Sequence, residues 1–129
     1  MKNLLLLFVL SLFLITACEK YDEDIMPIVG VYEAHIAGVA GPFSMNITAN
    51  YGDNIRIEAP WLDDNWHIID ADVDDKEYYS KDIDIPYQSI GEGLKIYGDG
   101  VYQDFSIQID YTIEDGNDLY HYTLVGTKL

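Results

Sequence analysis

The chain has 129 residues, of which 23 are acidic and 7 are lysine or arginine, and its formal net charge at pH 7 is −16. This balance argues against nucleic acid as a partner, because phosphate binding needs clustered lysine and arginine. Aromatic residues make up 13% of the chain, which is too many for a disordered protein, and the length suits one small domain.

The first 17 residues have the organisation of a secretory signal peptide that is removed from the mature protein. Lys2 is followed by an apolar block over residues 4–15, which is too short for a transmembrane helix of about 20 residues. The junction Leu14–Cys18 resembles the lipobox of bacterial lipoproteins. The resemblance implies cleavage before Cys18 and a lipid on its thiol. Lipidation would also explain an unpaired cysteine in an exported chain.

Residues 18–27 are expected to form an acidic tether between the lipidated cysteine and a β-barrel domain at residues 28–129. The stretch at residues 19–24 resembles the short signal of lysine and acidic residues in surface lipoproteins of the Bacteroidota. That resemblance implies display on the outer face of the outer membrane, with the periplasmic leaflet as the alternative. In both cases the expected partner is the membrane, held through the acyl chains on Cys18.

Apolar and polar residues alternate from Ile28 onward, turn residues recur regularly, and no stretch has a convincing helical stripe. The pattern predicts about eight strands joined by short connections. Sequential pairing gives an all-β, antiparallel up-and-down barrel as the simplest topology. The predicted strands lie near residues 28–38, 43–50, 55–62, 66–74, 82–88, 94–98, 104–114 and 118–127.

The turn sequences predict the register of two hairpins. A two-residue turn at Asp115-Gly116 would set Tyr111 opposite Tyr120 in the last hairpin. In the middle hairpin, a three-residue loop over residues 63–65 would set Ile57 opposite Ala71. The same loop would place Arg56 opposite Asp72 on the outer face, which is a favourable cross-strand pair.

The chain resembles the calycin-type barrels, and in particular the small lipocalin-like lipoproteins of the Bacteroidota. Gly30-Val31-Tyr32 is similar to the Gly-x-Trp of lipocalin first strands, with tyrosine in place of tryptophan. The last strand closes with Gly126-Thr127-Lys128, an ending similar to that of those lipoproteins. The resemblance covers most of residues 28–129. It implies a fold and a role in binding a ligand or a partner, and it carries no catalytic residues.

The middle hairpin is the candidate surface for a ligand or a partner. Its residues are Trp61, Leu62, Asp63, Asp64, Asn65, Trp66, His67 and Ile68. Leu62, Trp66 and Ile68 are expected to face outward beside carboxylates, a combination that suits sugar rings or a partner protein. The alternative is a structural hairpin whose tryptophans cap one end of the barrel.

Two further groups of polar residues are candidates for a functional site. Asp70, Asp72 and Asp74 alternate along one strand and are weak candidates for a metal site, but a solvated outer face explains them better. Asp110 and His121 are expected to face each other as a surface ion pair, because no activated serine or cysteine accompanies them. No metal, cofactor or enzymatic activity is therefore expected.

A set of large residues is expected to fill the barrel rather than to line a hollow interior. The set consists of Ile47, Ile57, Phe105, Ile107, Ile109, Tyr111, Tyr122 and Leu124. The expected function is that of a non-enzymatic module at the bacterial outer membrane that binds a ligand or a partner. The alternative is an acidic interaction or inhibitor lipoprotein that docks a basic partner without a barrel ligand.

Overall fold

A computed structural model describes residues 23–77 and 79–129, which form a closed barrel of eight antiparallel strands. Each strand pairs with the next along the chain, and β8 closes the barrel against β1. The predicted all-β up-and-down barrel is therefore confirmed. The strands are β1 (Gly30–Ile36), β2 (Ala40–Ala49), β3 (Asn54–Leu62), β4 (Asn65–Glu77), β5 (Ser80–Gly91), β6 (Leu94–Gln103), β7 (Ser106–Asp115) and β8 (Asp118–Lys128).

The barrel has two different ends. One end, called the mouth below, carries the β1–β2, β3–β4, β5–β6 and β7–β8 turns. The other, called the terminal end, receives the chain before β1 and the residue that follows β8. Within the described ranges, no helix has the length and apolar character needed to cross a bilayer.

Alternating residues of every strand point into the barrel and form one apolar core. The most enclosed members include Tyr32, Ile57, Trp61 and Tyr102, each at most 1% exposed. Most of the predicted inward set is buried as expected. The buried members of that set are Ile47, Ile57, Ile107, Ile109, Tyr111 and Leu124.

Phe105 and Tyr122 depart from the predicted inward set. Phe105 lies in the β6–β7 turn with a φ of 68° and is 57% exposed, so its inward assignment was wrong. The turn ends the alternation one residue before β7 begins, and the strand pattern therefore cannot be extended to Phe105. Tyr122 is half-buried because it lies near the mouth.

The segment before β1 closes the terminal end. Glu23–Ile25 forms one turn of 3-10 helix, and Ile25 and Ile28 are buried in the core. The Tyr32 hydroxyl donates a hydrogen bond of 2.6 Å to the Ile28 carbonyl, and Lys128 Nζ donates one of 2.8 Å to the Pro27 carbonyl. Ile25 lies in the segment that was expected to be an acidic tether. It packs on the barrel because its side chain is apolar.

The last hairpin turns one residue later than predicted. Asp115 pairs with Asp118, which leaves Gly116 and Asn117 as the two turn residues. Gly116 has a φ of 61°, which glycine adopts readily at the first central position of a hairpin turn. Tyr111 therefore lies opposite Tyr122, and the predicted pairing with Tyr120 was wrong by two residues. A shift of two leaves each side chain on its predicted face.

The middle hairpin has a two-residue turn at Asp63 and Asp64, not the predicted three-residue loop. Both aspartates have positive φ angles, 47° and 63°, as a type I′ turn requires. A bulge between Pro60 and Leu62 inserts one extra residue into β3. Ile57 therefore lies opposite Ile69, and the predicted pairings of β3 with β4 were wrong.

Burial of two phenols predicts that the barrel loses stability at high pH. Burial raises the pKa values of Tyr32 and Tyr111 well above 10. Between pH 10 and the raised pKa values of the folded state, the two phenols lose their protons in the unfolded chain but keep them in the folded chain. The free energy of unfolding should therefore fall by about 1.4 kcal/mol per pH unit for each phenol. Urea unfolding measured from pH 8 to pH 11 tests this dependence.

Tyr32→Phe should reduce the slope of the free energy of unfolding against pH by the contribution of one phenol. The same change lowers the stability at pH 8, because the hydrogen bond to Ile28 is lost. Tyr51→Phe is the matched control, because Tyr51 is 58% exposed and meets solvent in the folded state. An unchanged slope in Tyr32→Phe would contradict the prediction.

Candidate functional site

A small pocket opens at the mouth, between the β1–β2 turn and the β3–β4 turn. It has a volume of about 190 Å³, and its wall includes Ile36, Trp61, Asp63, Tyr111 and Tyr122. Because one water molecule occupies about 30 Å³ of liquid, the volume equals that of about six waters. Sites for drug-sized ligands start near 300 Å³, so this mouth pocket suits a single ring or chain end.

The mouth pocket lies beside a gap in the barrel wall between β2 and β3. These strands pair only from Asn46 opposite Glu58 to Ala49 opposite Ile55. The stretches nearer the mouth, residues 40–45 of β2 and 59–62 of β3, have no pairing with each other among the described residues. Each stretch contains a proline, Pro42 or Pro60, which has no N–H to donate to a ladder. We call this gap the seam.

Trp66 lies on the outer side of the seam. It is opposite Pro60 in the β3–β4 ladder, and its ring meets the Phe43 ring edge-on with centroids 5.9 Å apart. This contact joins β4 to β2 across β3, at the level where β2 and β3 have separated. Trp66 remains 48% exposed and Ile68 61% exposed, so both face outward as predicted.

Trp61 forms the inner wall of the mouth pocket. It is buried, its indole N–H donates a hydrogen bond of 3.1 Å to the His67 carbonyl, and its carbonyl accepts one of 3.0 Å from the Tyr111 hydroxyl. The Trp61 and Tyr111 rings meet edge-on at 5.1 Å, and the Tyr111 and Tyr122 rings lie 5.4 Å apart at 33°. Three aromatic rings therefore lie in contact one after another, and hydrogen bonds to the β3–β4 hairpin hold two of them, Trp61 and Tyr111.

The polar residues of the candidate hairpin sit at the rim of the mouth pocket. Asp63 and Asp64 are exposed on the turn and line the pocket. Burial, and then the neighbouring Asp63 carboxylate and Tyr120, raise the pKa of the Tyr122 hydroxyl. Asp63 and the phenol thus face the same space. Asn65 is exposed outside it, and His67 is half-buried with its carbonyl occupied by Trp61.

Leu62 does not face outward as expected. It is half-buried and packs against the core, because the bulge between Pro60 and Leu62 rotates the end of β3. The candidate hairpin therefore divides into two parts. Trp61 and Leu62 belong to the inner wall of the mouth, and Trp66 and Ile68 belong to the outer face.

The pairing expected between Asp110 and His121 was wrong. Asp110 lies opposite Thr123, whose hydroxyl donates a hydrogen bond of 2.7 Å to the carboxylate. His121 lies opposite Thr112, and its Nδ1 is 2.8 Å from the Thr112 hydroxyl oxygen. The two-residue shift of the last hairpin accounts for both changes.

The aspartates weighed as weak metal ligands lie on the outer face of β4. Asp70, not Asp72, is the partner of Arg56, with 3.5 Å between Oδ1 and Nε. Asp72 accepts a hydrogen bond of 3.1 Å from the Asn54 side chain, and Asp74 is exposed. In the part of the chain that the structure describes, no three histidine, cysteine or acidic side chains come together as a group that could hold a metal.

Four aspartates lie directly opposite one another on four neighbouring strands. Asp72 of β4 is opposite Asp84 of β5, Asp84 is opposite Asp99 of β6, and Asp99 is opposite Asp110 of β7. We call these residues the aspartate row. Like charges directly opposite each other destabilise a sheet, and two unit charges about 5 Å apart repel by about 0.8 kcal/mol even in water. The fold therefore retains an unfavourable arrangement on its outer face.

Replacing Asp99 with asparagine should stabilise the barrel, because Asp99 has a like charge on each side in the row. We expect the free energy of unfolding to rise by about 0.5 kcal/mol, with a smaller gain at high salt because ions screen exposed charges. Urea unfolding at low and high sodium chloride measures the effect.

The control for this measurement is Glu33→Gln, because Glu33 is an exposed strand carboxylate opposite Ser44 and Thr127 and therefore has no like charge beside it. Equal gains in the Asp99 and Glu33 variants would show that only the net charge matters, and would contradict the prediction.

Comparison with known proteins gives no relative for this chain. No protein family, no curated protein and no solved structure matches it. The mouth pocket and its aromatic wall are therefore the features of the chain that indicate a function.

Proposed function

We propose that the protein is a lipid-anchored, non-enzymatic module of the bacterial outer membrane that binds one sugar ring in the mouth pocket. The observation that carries the proposal is the wall made by Trp61, Tyr111 and Tyr122 with the Asp63 carboxylate at its rim. The half-buried Tyr122 ring, which packs against the buried Tyr111, offers the aromatic face against which the C–H face of a sugar ring can pack. Carboxylates accept hydrogen bonds from the sugar hydroxyl groups.

The place of the anchor supports a ligand outside the membrane. Cys18, the residue proposed to carry the lipid, lies outside the described residues but only five positions before Glu23. Five residues reach at most about 18 Å, so an anchor there keeps the terminal end close to the bilayer. The mouth is at the opposite end and would point away from the membrane.

The N-terminal sequence supports the proposed location in the cell envelope. Residues 1–17 would be removed as a signal peptide, and the stretch at residues 19–24 would direct the lipoprotein to the cell surface. The closed eight-strand meander is consistent with the calycin-like barrels that the chain resembles. Under this proposal, the small pocket volume limits the ligand to the terminal ring of a glycan or to a monosaccharide.

Titration with free monosaccharides tests the ligand class. We expect one of glucose, galactose or N-acetylglucosamine to shift the indole N–H signal of Trp61 in NMR spectra of the full chain. A ligand of about 12 heavy atoms at about 0.3 kcal/mol per atom gives a dissociation constant in the millimolar range. Tyr122→Ala should weaken binding about tenfold, which corresponds to about 1.4 kcal/mol.

The matched control is Tyr87→Ala, because Tyr87 is a 59% exposed tyrosine on the outer face and is not part of the mouth pocket. It should bind sugar as the parent chain does. Binding that is lost equally in both variants, or no shift of the Trp61 signal with any sugar, would contradict a mouth site.

Labelling with radioactive palmitate tests the anchor independently of the ligand. In a bacterial host, the parent chain should take up the label and sediment with the membranes, since two or three acyl chains hold a protein firmly. Cys18→Ser should take up none and remain soluble. Equal labelling of both chains would refute the anchor and would leave the sugar proposal to its own test.

A further inference from the structure

The outer face of β5–β8 carries a groove that adjoins the mouth pocket at Tyr111 and Tyr122. It consists of two adjoining depressions with volumes of about 810 and 680 Å³. Both depressions are lined by Asp99 and Asp110, so they form one continuous surface, which we call the outer groove. No other part of the described chain packs on this sheet face as an element of its own, because the strands are the only elements that follow residue 29.

The outer groove carries mainly negative charge. Asp82, Asp84, Asp99 and Asp110 line it, and neither depression has a lysine or an arginine among its described lining residues. Among the described lining residues, His121 alone has a basic side chain. Since the aspartate row places like charges side by side at a cost, a cationic occupant would relieve repulsion as well as form ion pairs.

One wall of the outer groove is aromatic. The rings of Tyr87 and Tyr97 lie 5.8 Å apart at 35°, at the end of the groove nearer the mouth. The neighbouring Glu114 side chain, as a hydrogen-bond acceptor and a negative charge, raises the pKa of the exposed Tyr87 hydroxyl. Exposed tyrosine faces flanked by carboxylates suit arginine, whose planar guanidinium group stacks on the ring and pairs with the carboxylate at the same time.

The layout of the carboxylates favours an extended chain over a single ion. They stand in a line across the strands and do not converge, and no group of three among the described residues could hold a metal. Neighbouring strands are about 4.8 Å apart, so the three positions of the row that line the outer groove, on β5, β6 and β7, span about 10 Å. An extended peptide rises about 3.3 Å per residue, so about four residues cover that span.

We propose that the outer groove docks an extended, arginine-rich segment of a partner protein. The segment would cross β5, β6 and β7 along the aspartate row, with one arginine stacked on Tyr87 and others paired with Asp84 and Asp99. Charge complementarity identifies this occupant. The site adjoins the mouth pocket, because Tyr111 and Tyr122 line both, but none of its aspartates lines the mouth pocket. The same protein would then bind a sugar at one end and a basic segment on its side.

Fluorescence anisotropy with a labelled peptide tests the proposal. The probe is a seven-residue peptide of alternating arginine and serine, titrated with the full chain purified in a non-ionic detergent. We expect saturable binding that weakens as sodium chloride is added, because screening reduces attraction between exposed charges. The double variant Asp84→Asn/Asp99→Asn should bind about tenfold more weakly. Asparagine removes repulsion within the row, so this variant is expected to fold.

The matched control is Glu33→Gln/Glu58→Gln, which removes two charges from exposed strand residues outside the outer groove. Its affinity should change less than about twofold, since long-range attraction is screened at physiological salt. Equal losses in the two double variants would mean that net charge alone attracts the peptide, and would overturn the proposal. So would an absence of binding, or unchanged affinity in Tyr87→Ala.

Discussion

Closure of the barrel between β1 and β8 is the constraint on which the other features depend. Only a closed ladder can enclose alternate side chains on every side with no helix to cover them. The closure is reinforced at the terminal end, where Lys128 donates to the Pro27 carbonyl and the Leu129 N–H donates to the Val31 carbonyl. The buried Ile25 and Ile28 pack into that end, and the small pocket described above opens at the other end, the mouth.

The mouth pocket exists because β2 and β3 are not paired in their described stretches nearer the mouth. Pro42 and Pro60 remove N–H donors from the two stretches that would otherwise face each other in β2 and β3. The separated strands leave space at the mouth, and the contact between Phe43 and Trp66 replaces backbone pairing on the outer side. One local defect thus produces both the proposed sugar pocket and the exposed indole beside it.

The strand order and the faces of the strands could be predicted from the sequence because alternation has a period of two. Both predicted hairpin registers were wrong by two residues, yet the faces were preserved except at Leu62, beyond the bulge of β3. The bulge after Pro60 could not be predicted, since it adds a residue without interrupting the apolar pattern. The two prolines within strands were the available signal for the seam. The aspartate row depends on the registers of four strands together, which no local pattern encodes.

The packed segment at the terminal end has a mechanical consequence. Because the 3-10 turn at Glu23–Ile25 and the buried Ile28 belong to the core, a force applied upstream of residue 23 acts directly on the barrel and not on a slack linker. Strands, core and hydrogen-bonded ends would share that load. If Cys18 carries the proposed lipid, so short a connection would also restrict tilting, and the side face and the mouth would keep nearly constant heights above the membrane.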